Sequence, residues 1–383
     1  MKAFTVASDR LRVGTNHMTQ PLPRRPRRTR IEDVAAAADV SVATVSRALR
    51  GLPNVATSTR ERVRRVAEEL DYRPDPTASR LAAGRTRTVI VIVPHLASWY
   101  FSMVVAGAEA VCSEAGYDFL VTSVGSLGEC ARLLDDSDRI ERRADGVVLV
   151  NIPVSEEQAR SLRDRGVALS TVGTHAHGAP SVFVDDVGVG ELAARTLLEL
   201  GHRDIGMISG RGEDPLNFEV PKLRERGFIA QLTSAGVTID PSYGIDGNFS
   251  VEGGEESMSN LLDAATPPTA VFAMSDEMAF GALMELDARG LRPGRDVSVL
   301  GVDDHEFARV VGLSTIRQQV STQGAVAARA LLGSMRGDDP EPHPVISPVE
   351  LVLRTTTAPL NQGRRLLAEP AAPRPRTDVN GRT

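Results

Sequence analysis

Cysteine is scarce in this chain: 383 residues hold two, Cys112 and Cys130. Two cysteines make no disulfide framework, and their spacing matches no metal site, so a reducing cytoplasm is expected. Long apolar runs are missing as well. The run VIVIV at 89–93, at the front of the core, is far shorter than the roughly 20 residues a membrane helix needs. Arg10 and Arg12 stand where the apolar stretch of a signal peptide would lie, so neither export nor a membrane partner is expected. The seven histidines contain no HExxH; His175 and His177 (THAH) read as a surface loop rather than a metal site. No catalytic constellation emerges, and the chain is expected to be no enzyme, with no cofactor and no metal. Lysine is rare too: 42 of the 44 basic residues are arginine, a bias that points to GC-rich coding rather than to function.

What is present is an ordinary soluble composition, 42% hydrophobic and 25% charged, over a length that suits two or three domains. The net charge of −6 hides an asymmetry. Residues 24–87 carry 15 arginines against 8 acids, whereas 88–383 carry 26 basic and 41 acidic residues. A small basic block on an acidic body implies that the two parts meet different partners. The block is also helically periodic, which a solvated tail would not be.

Residues 1–28, ending in PLPRRPRR, read as a disordered extension. Three short helical patterns follow, at 31–38 (IEDVAAAA), 42–50 and 59–72, the last burying Val63, Val66 and Leu70. Pro74 and Pro76 break the pattern, and 77–83 suits one or two further turns. From residue 88 the pattern changes to apolar strands alternating with amphipathic helices. Strands are predicted at 88–93, 117–122, 146–150, 168–172, 181–185, 205–209, 269–274 and 297–302. Helices fill the gaps, as at 191–200 and 276–289. This alternation predicts parallel sheets built of right-handed βαβ units, and about 270 residues of it predict two subdomains facing a cleft. The Pro- and Arg-bearing tail at 361–383 is expected to be disordered.

The two short helices at 31–38 and 42–50 are joined by a three-residue turn, with small Ala35, Ala36 and Ala38 at their crossing. That is a helix-turn-helix pattern. Ser41 can cap the second helix, while Val34, Val45 and Leu49 close the shared core. The exposed end of that helix then offers Val42, Ala43, Thr44, Ser46 and Arg47. Small side chains let a helix sink into the major groove of DNA. There Val42 can touch a thymine methyl, Thr44 and Ser46 can hold phosphates, and Arg47 can reach guanine O6 and N7.

These residues resemble the headpiece of the LacI family of bacterial transcription regulators, and the resemblance runs from about Thr29 to Leu360. IEDVAAAADVSVATVSRALRG, VATSTRERVRRVAEELDYRP and TASRLAAGRTRTV are similar to the family's headpiece, third helix and hinge. LLELGHRDIGMISG, AVFAMSDEMAFGAL and DVSVLGVDDHEFA follow in the family's order. The resemblance implies an α/β chain: a helix-turn-helix headpiece at 29–74, a hinge at 75–87, and a core at 88–360. The core would be two lobes of doubly wound parallel sheet, like a periplasmic binding protein. It further implies a repressor acting as a homodimer on operator double-stranded DNA. Val42, Ala43 and Arg47 would read bases, Ser41, Thr44 and Ser46 would sit at phosphates, and Leu81 would wedge into the minor groove. Arg50, where an asparagine is common, would add a phosphate contact. Asp39 stands where glycine is usual, and aspartate tolerates a left-handed turn better than most residues. Ala56 replaces the usual cap of the third helix.

In the core, the resemblance places a small-molecule effector, a sugar or related metabolite, between the lobes. Tyr100 and Phe101 (ASWYFSMVV) would line the cleft of the first lobe. Arg224 (KLRERGF), Phe249, Ser275 (MSDEMA) and Asp303 (GVDDHEF) would line the second, with Asp185 a further ligand candidate. Aromatic rings suit the apolar face of a sugar, and Asp303 and Arg224 suit its hydroxyls. The spacing GxGxxA in VGVGELA, 187–193, imitates a dinucleotide fingerprint. Asp185 and Asp186 just before it would repel a pyrophosphate, so no nucleotide site is expected. The rival reading, a solute-binding protein of the same two-lobed build, leaves the first 90 residues without a use.

Overall fold

The computed structural model describes residues 29–72, 85–210, 216, 219–240, 243–338 and 343–360. The extension at 1–28, the turns expected at 77–83, Leu81 and the tail at 361–383 lie outside the described residues. By backbone contacts the chain divides into two units, Met1–Ala83 and Gly84–Thr383.

Among its described residues the first unit is three helices, α1 (Ile31–Ala37), α2 (Val42–Leu49) and α3 (Thr57–Glu69). Val34, Val45, Ala48 and Val63 are wholly buried where the three meet, with Ala35, Ala38, Val66 and Ala67 around them. Small residues dominate because two helices of about two turns each can share a core only if their axes approach closely. Asp39 turns the chain between α1 and α2 at φ 51, as its place in the turn predicts. Ser41 caps α2, its hydroxyl accepting from the Thr44 amide at 3.2 Å. Ala56 precedes α3 with no side-chain cap.

The second unit holds two six-stranded sheets. In the first, β1 (Thr88–Val93), β2 (Asp118–Ser123), β3 (Gly146–Val150), β4 (Ala168–Val172), β5 (Ser181–Val184) and a late β11 (Val345–Ser347) run parallel, in the order β11-β5-β4-β3-β1-β2. The second contains β6 (Ile205–Ser209), β7 (Gly244–Asp246), β8 (Ala270–Ala273), β9 (Ser298–Asp303), β10 (Ser314–Arg317) and β12 (Glu350–Val352). Its order is β12-β10-β9-β8-β6-β7, with β12 antiparallel to β10 and the rest parallel. Strands β1, β3, β8 and β9 are buried along their whole length, which is why they read as unbroken apolar runs. The eight predicted strands are all present to within a residue at either end. Strands β7, β10, β11 and β12, of three or four residues each, escaped a periodicity search because they span barely one alternation.

The chain crosses between the sheets three times: after β5, after β10, and between β11 and β12. The helices pack in pairs at points where backbones touch. α4 (Trp99–Glu114) meets the long helix Val320–Arg336 at Gly107 and Gly324. A Cβ on Gly324 would sit 2.0 Å from the Val104 carbonyl oxygen, and one on Gly107 would collide with the Ser321 carbonyl. Gly324→Ala therefore has no room, and we expect a loss of about 1–3 kcal/mol. Gly333→Ala on the same helix meets nothing within 4 Å and should be neutral or stabilising by up to about 1 kcal/mol. Urea unfolding of the two variants checks this; equal stability would refute the crossing as a constraint.

Candidate functional site

Two surfaces carry the candidate residues, one in each unit. On the headpiece, Ser41, Val42, Ala43, Arg47 and Arg50 are exposed and Thr44 and Ser46 half-buried along one side of α2, whose opposite side holds Val45 and Ala48 in the core. Val42 leaves 40% of its surface in solvent, a cost that a partner's apolar group would offset. The Ser41 and Thr44 hydroxyls lie 2.9 Å apart. All seven described residues of the predicted DNA set thus share one helix face or its start, while Leu81 lies outside the described residues.

The second surface is a cavity of about 540 Å³ lined by both lobes. Its walls are the carboxyl ends of the strands and the starts of the helices that follow, the place where doubly wound sheets bind ligands. Tyr100 and Phe101 come from the start of α4; Phe249 precedes α5, named here as the helix Val251–Leu262; Asp303 ends β9. Arg224, in the helix Val220–Ser234, and Ser275, just before the helix Asp276–Ala288, also line it. Six of the seven predicted ligand residues are therefore brought together.

Asp185 is the exception. It is exposed, and its carboxylate caps the helix Asp186–Glu199 by accepting from the Gly188 amide at 3.0 Å. Its neighbour Asp186 lines the cavity instead, because the first helical residue turns inward where the cap turns out. Asp186 is 8% exposed and bonds Arg224 Nε at 2.8 Å. Burial raises its carboxyl above the usual range, against the pull of the Arg224 guanidinium. Arg224, 4% exposed, also donates from Nη1 to the Met274 carbonyl. Neither bond engages Nη2.

Asp303 is 7% exposed and sits at φ 127, with Asp304 next to it at φ 58. Such consecutive strain marks a backbone held for a purpose other than stability. Gln318 donates to its Oδ1. Burial pushes the Asp303 carboxyl up to about 7, against the lowering effects of Arg224 and Gln318. Asp276 behind it is wholly buried, and burial followed by the Asp303 charge raises its carboxyl too. Asp276 accepts from the Thr315 hydroxyl at 2.7 Å and from the His305 amide at 2.8 Å. The Ser275 hydroxyl caps its helix by accepting from the Met278 amide at 3.2 Å, which leaves its proton for a ligand.

The ring of Phe249 lies against Gly210, where a Cβ would overlap it, and Asn248 and Phe249 both take left-handed backbone at φ 52 and 51. Sequence reading missed Asp186, Asn151, Asn248, Glu252, Glu277, Gln318 and Gln323, all of which line the cavity. Asp186 was findable from the doublet at the end of β5. The glutamines are not, since they sit on the crossing after β10, which the sequence does not announce. The lobes also touch outside the cavity, where Trp99 stacks on His305 with ring centroids 4.7 Å apart.

A helix-turn-helix unit joined to a two-lobed core with a polar, aromatic cleft defines a transcription regulator that senses a small molecule. The comparisons agree. Residues 30–75 match the family of bacterial regulatory proteins of lacI type, and 194–357 match a periplasmic binding protein-like domain. The HTH-type transcriptional repressor CytR of Escherichia coli (strain K12) is 33% identical over 341 residues, covering 86% of this chain and 96% of the relative. The crystal structure of the lac repressor dimer bound to operator and the anti-inducer ONPF superposes with TM-score 0.73 at 27% identity, covering 87% of this chain and all of that one. The transcriptional regulator CelR in complex with cellobiose gives TM-score 0.61 at 30% identity, covering 86% and 100%. This chain belongs to the LacI family. Its relatives regulate transcription, and it is a DNA-binding regulator rather than an enzyme.

The pH response of Asp303 is open to test. Its carboxyl holds a proton up to about pH 7 in the folded chain and loses it near 4 in the unfolded one. Between those values the folded state binds the extra proton, so this group's contribution to stability falls as pH rises. Asp303→Asn removes the titration. Relative to wild type, the ligand-free variant should gain about 1–3 kcal/mol on going from pH 5 to pH 8, measured by urea unfolding at both pH values. A pH-independent difference would show that Asp303 ionises normally.

Proposed function

We propose that this chain is a cytoplasmic repressor that binds a pseudo-palindromic operator as a homodimer and senses a sugar between its lobes. The observation that carries the sensing half is the buried set Arg224, Asp186 and Asp303 lining one wall of a cleft with Tyr100, Phe101 and Phe249. Flat rings against an apolar sugar face, with charged groups for its hydroxyls, are what such a ligand needs. The cellobiose complex of CelR, similar over most of its length, supports a sugar.

For the DNA half, Val42, Ala43 and Arg47 read base edges, Ser41, Thr44, Ser46 and Arg50 hold phosphates, and Leu81 enters the minor groove. A two-fold protein mirrors a two-fold operator. Phe307, Val310 and Val311 leave 58%, 77% and 47% of their surfaces in solvent on the second lobe, an apolar patch that suits the dimer. No described helix is long and apolar enough to cross a membrane, and both cysteines are buried and unpaired, which fits the cytoplasm. Effector and operator are coupled if the effector prefers one arrangement of the lobes, with residues 73–87 linking the core to the headpiece.

Thermal stabilisation of the purified protein by a metabolite panel tests the sensing half, and the absence of any sugar response would overturn it. The DNA half makes a sharper claim. Arg47→Ala should cost about 1–3 kcal/mol on the operator and relax preference at one base per half-site. Arg50→Ala should weaken specific and random DNA alike and shallow the salt dependence. Titrations of both variants on both DNAs separate the roles; identical behaviour would sink the assignment.

A further inference from the structure

The cleft's hydrogen-bonding balance bears on which effectors it can admit. Arg224 is the one arginine or lysine among the described residues lining it, and its Nε is already bonded to Asp186 at 2.8 Å. Three of the other donors are committed, while the Ser275 hydroxyl keeps its proton free. The Gln318 amide serves Asp303, the Gln323 amide serves the Gln318 carbonyl at 2.6 Å, and the Tyr100 hydroxyl faces Gln323 Oε1 at 3.5 Å. On the acceptor side, Asp303 holds the Gln318 amide and Glu277 the Ser98 hydroxyl at 3.4 Å, but no ion pair among the described residues engages Asp303, Glu252 or Glu277, and Asn151 Oδ1 is buried without a hydrogen-bond partner.

Six helices begin at the cavity, and their amide ends alone would favour an anion. This chain fills three of those ends itself, while the starts at Trp99, Val220 and Val320 carry neither a side-chain cap nor an acid in the first turn. The Ser250 and Ser275 hydroxyls accept from the Gly253 and Met278 amides. Asp186, Glu252 and Glu277 put carboxylates into first helical turns.

We propose that the cleft admits a ligand rich in hydroxyl or amine donors with no net negative charge, and rejects the phosphorylated or carboxylated form of the same skeleton. The inference rests on the cleft being the effector site and narrows its chemistry. A hydroxyl or ammonium donates into the waiting carboxylates. A phosphate only accepts, and would meet Glu252 and Glu277, and Asp303 wherever it is ionised, with one half-engaged arginine to offset them.

The test is a matched panel measured on the full-length protein by thermal shift and calorimetry. It sets ribose against ribose 5-phosphate, cellobiose against cellobionate, and adenosine against its 5′-monophosphate. Glucose is compared with glucosamine, glucose 6-phosphate and glucuronate. In every series that binds, the neutral or amine member should bind at least roughly 30-fold more tightly than its anionic partner. Replacing both Glu252→Gln and Glu277→Gln should shrink that ratio at least about fivefold. An anionic member within threefold of its parent, or a ratio unmoved by the double substitution, overturns the charge selectivity while leaving the effector site standing. Silence across the whole panel instead overturns the effector-site reading, and this inference with it.

Discussion

Backbone contact between paired helices is the constraint on which the core depends. Three pairs cross where a glycine of each helix faces the other's main chain: Gly107 with Gly324, Gly190 with Gly227, and Gly254 with Gly281. At each of the six positions a Cβ would come within about 2 Å of a carbonyl oxygen of the partner helix. Close packing of this kind fixes an axis far more tightly than interdigitated side chains, which can rearrange. The consequence lies at the other end of the helices. All six begin at the cavity, and each delivers a side chain to it, among them Phe101, Asp186, Arg224, Glu252, Glu277 and Gln323. Each glycine lies within about two turns of its helix start, so the site is held by main chain.

A wall that rigid can carry charges that would otherwise collapse or drown. Arg224, Asp186, Asp276 and Asp303 are all at most 8% exposed. Burying ions is costly, and an ion pair repays it only with good geometry and further hydrogen bonds. Asp186 has that geometry with Arg224. Asp276 has Thr315 and the His305 amide, and the loop it holds carries the ring on which Trp99 of the other lobe stacks. Asp303, like Asp186 and Asp276, has its carboxyl raised by burial, and it faces the cavity with Gln318 on one oxygen. A hydrogen-bond donor brought to it would favour its ionised form and offset part of that desolvation.

How much of this was legible in the sequence follows from the length scale of each signal. The headpiece was legible to within a few residues because Val45 and Leu49, and again Val63 and Val66, repeat at helical spacing and Ser41 and Asp39 punctuate it. The buried strands were legible as unbroken apolar runs. The placement of Asp186 rather than Asp185 was not, since which of two adjacent acids faces inward depends on where a helix begins to within one residue. The glycines of VGVGELA imitated a nucleotide fingerprint. In the fold, Gly190 exists so that the Arg224 carbonyl can approach, and Gly188 lies beside the Asp185 cap. A close approach between helices and one to a phosphate leave the same mark on a sequence.

The crossings explain why sensing and lobe geometry belong together. Asp186 follows the crossing after β5, and Gln318 and Gln319 lie on the crossing after β10, with Gln319 in left-handed backbone at φ 45. Two of the residues that line the cavity, Asp186 and Gln318, therefore lie next to or on the segments that join the lobes. Gln318 donates to Asp303 and receives the Gln323 amide on its carbonyl, tying the second lobe's acid to the helix that packs back on the first lobe. A donor bonded to Asp303 would compete for the oxygen that Gln318 holds, and so would bear on a segment that joins the lobes. Differential contact with a two-state element is what a coupling free energy requires, and a contact at Asp303 would lie one hydrogen bond from such a segment.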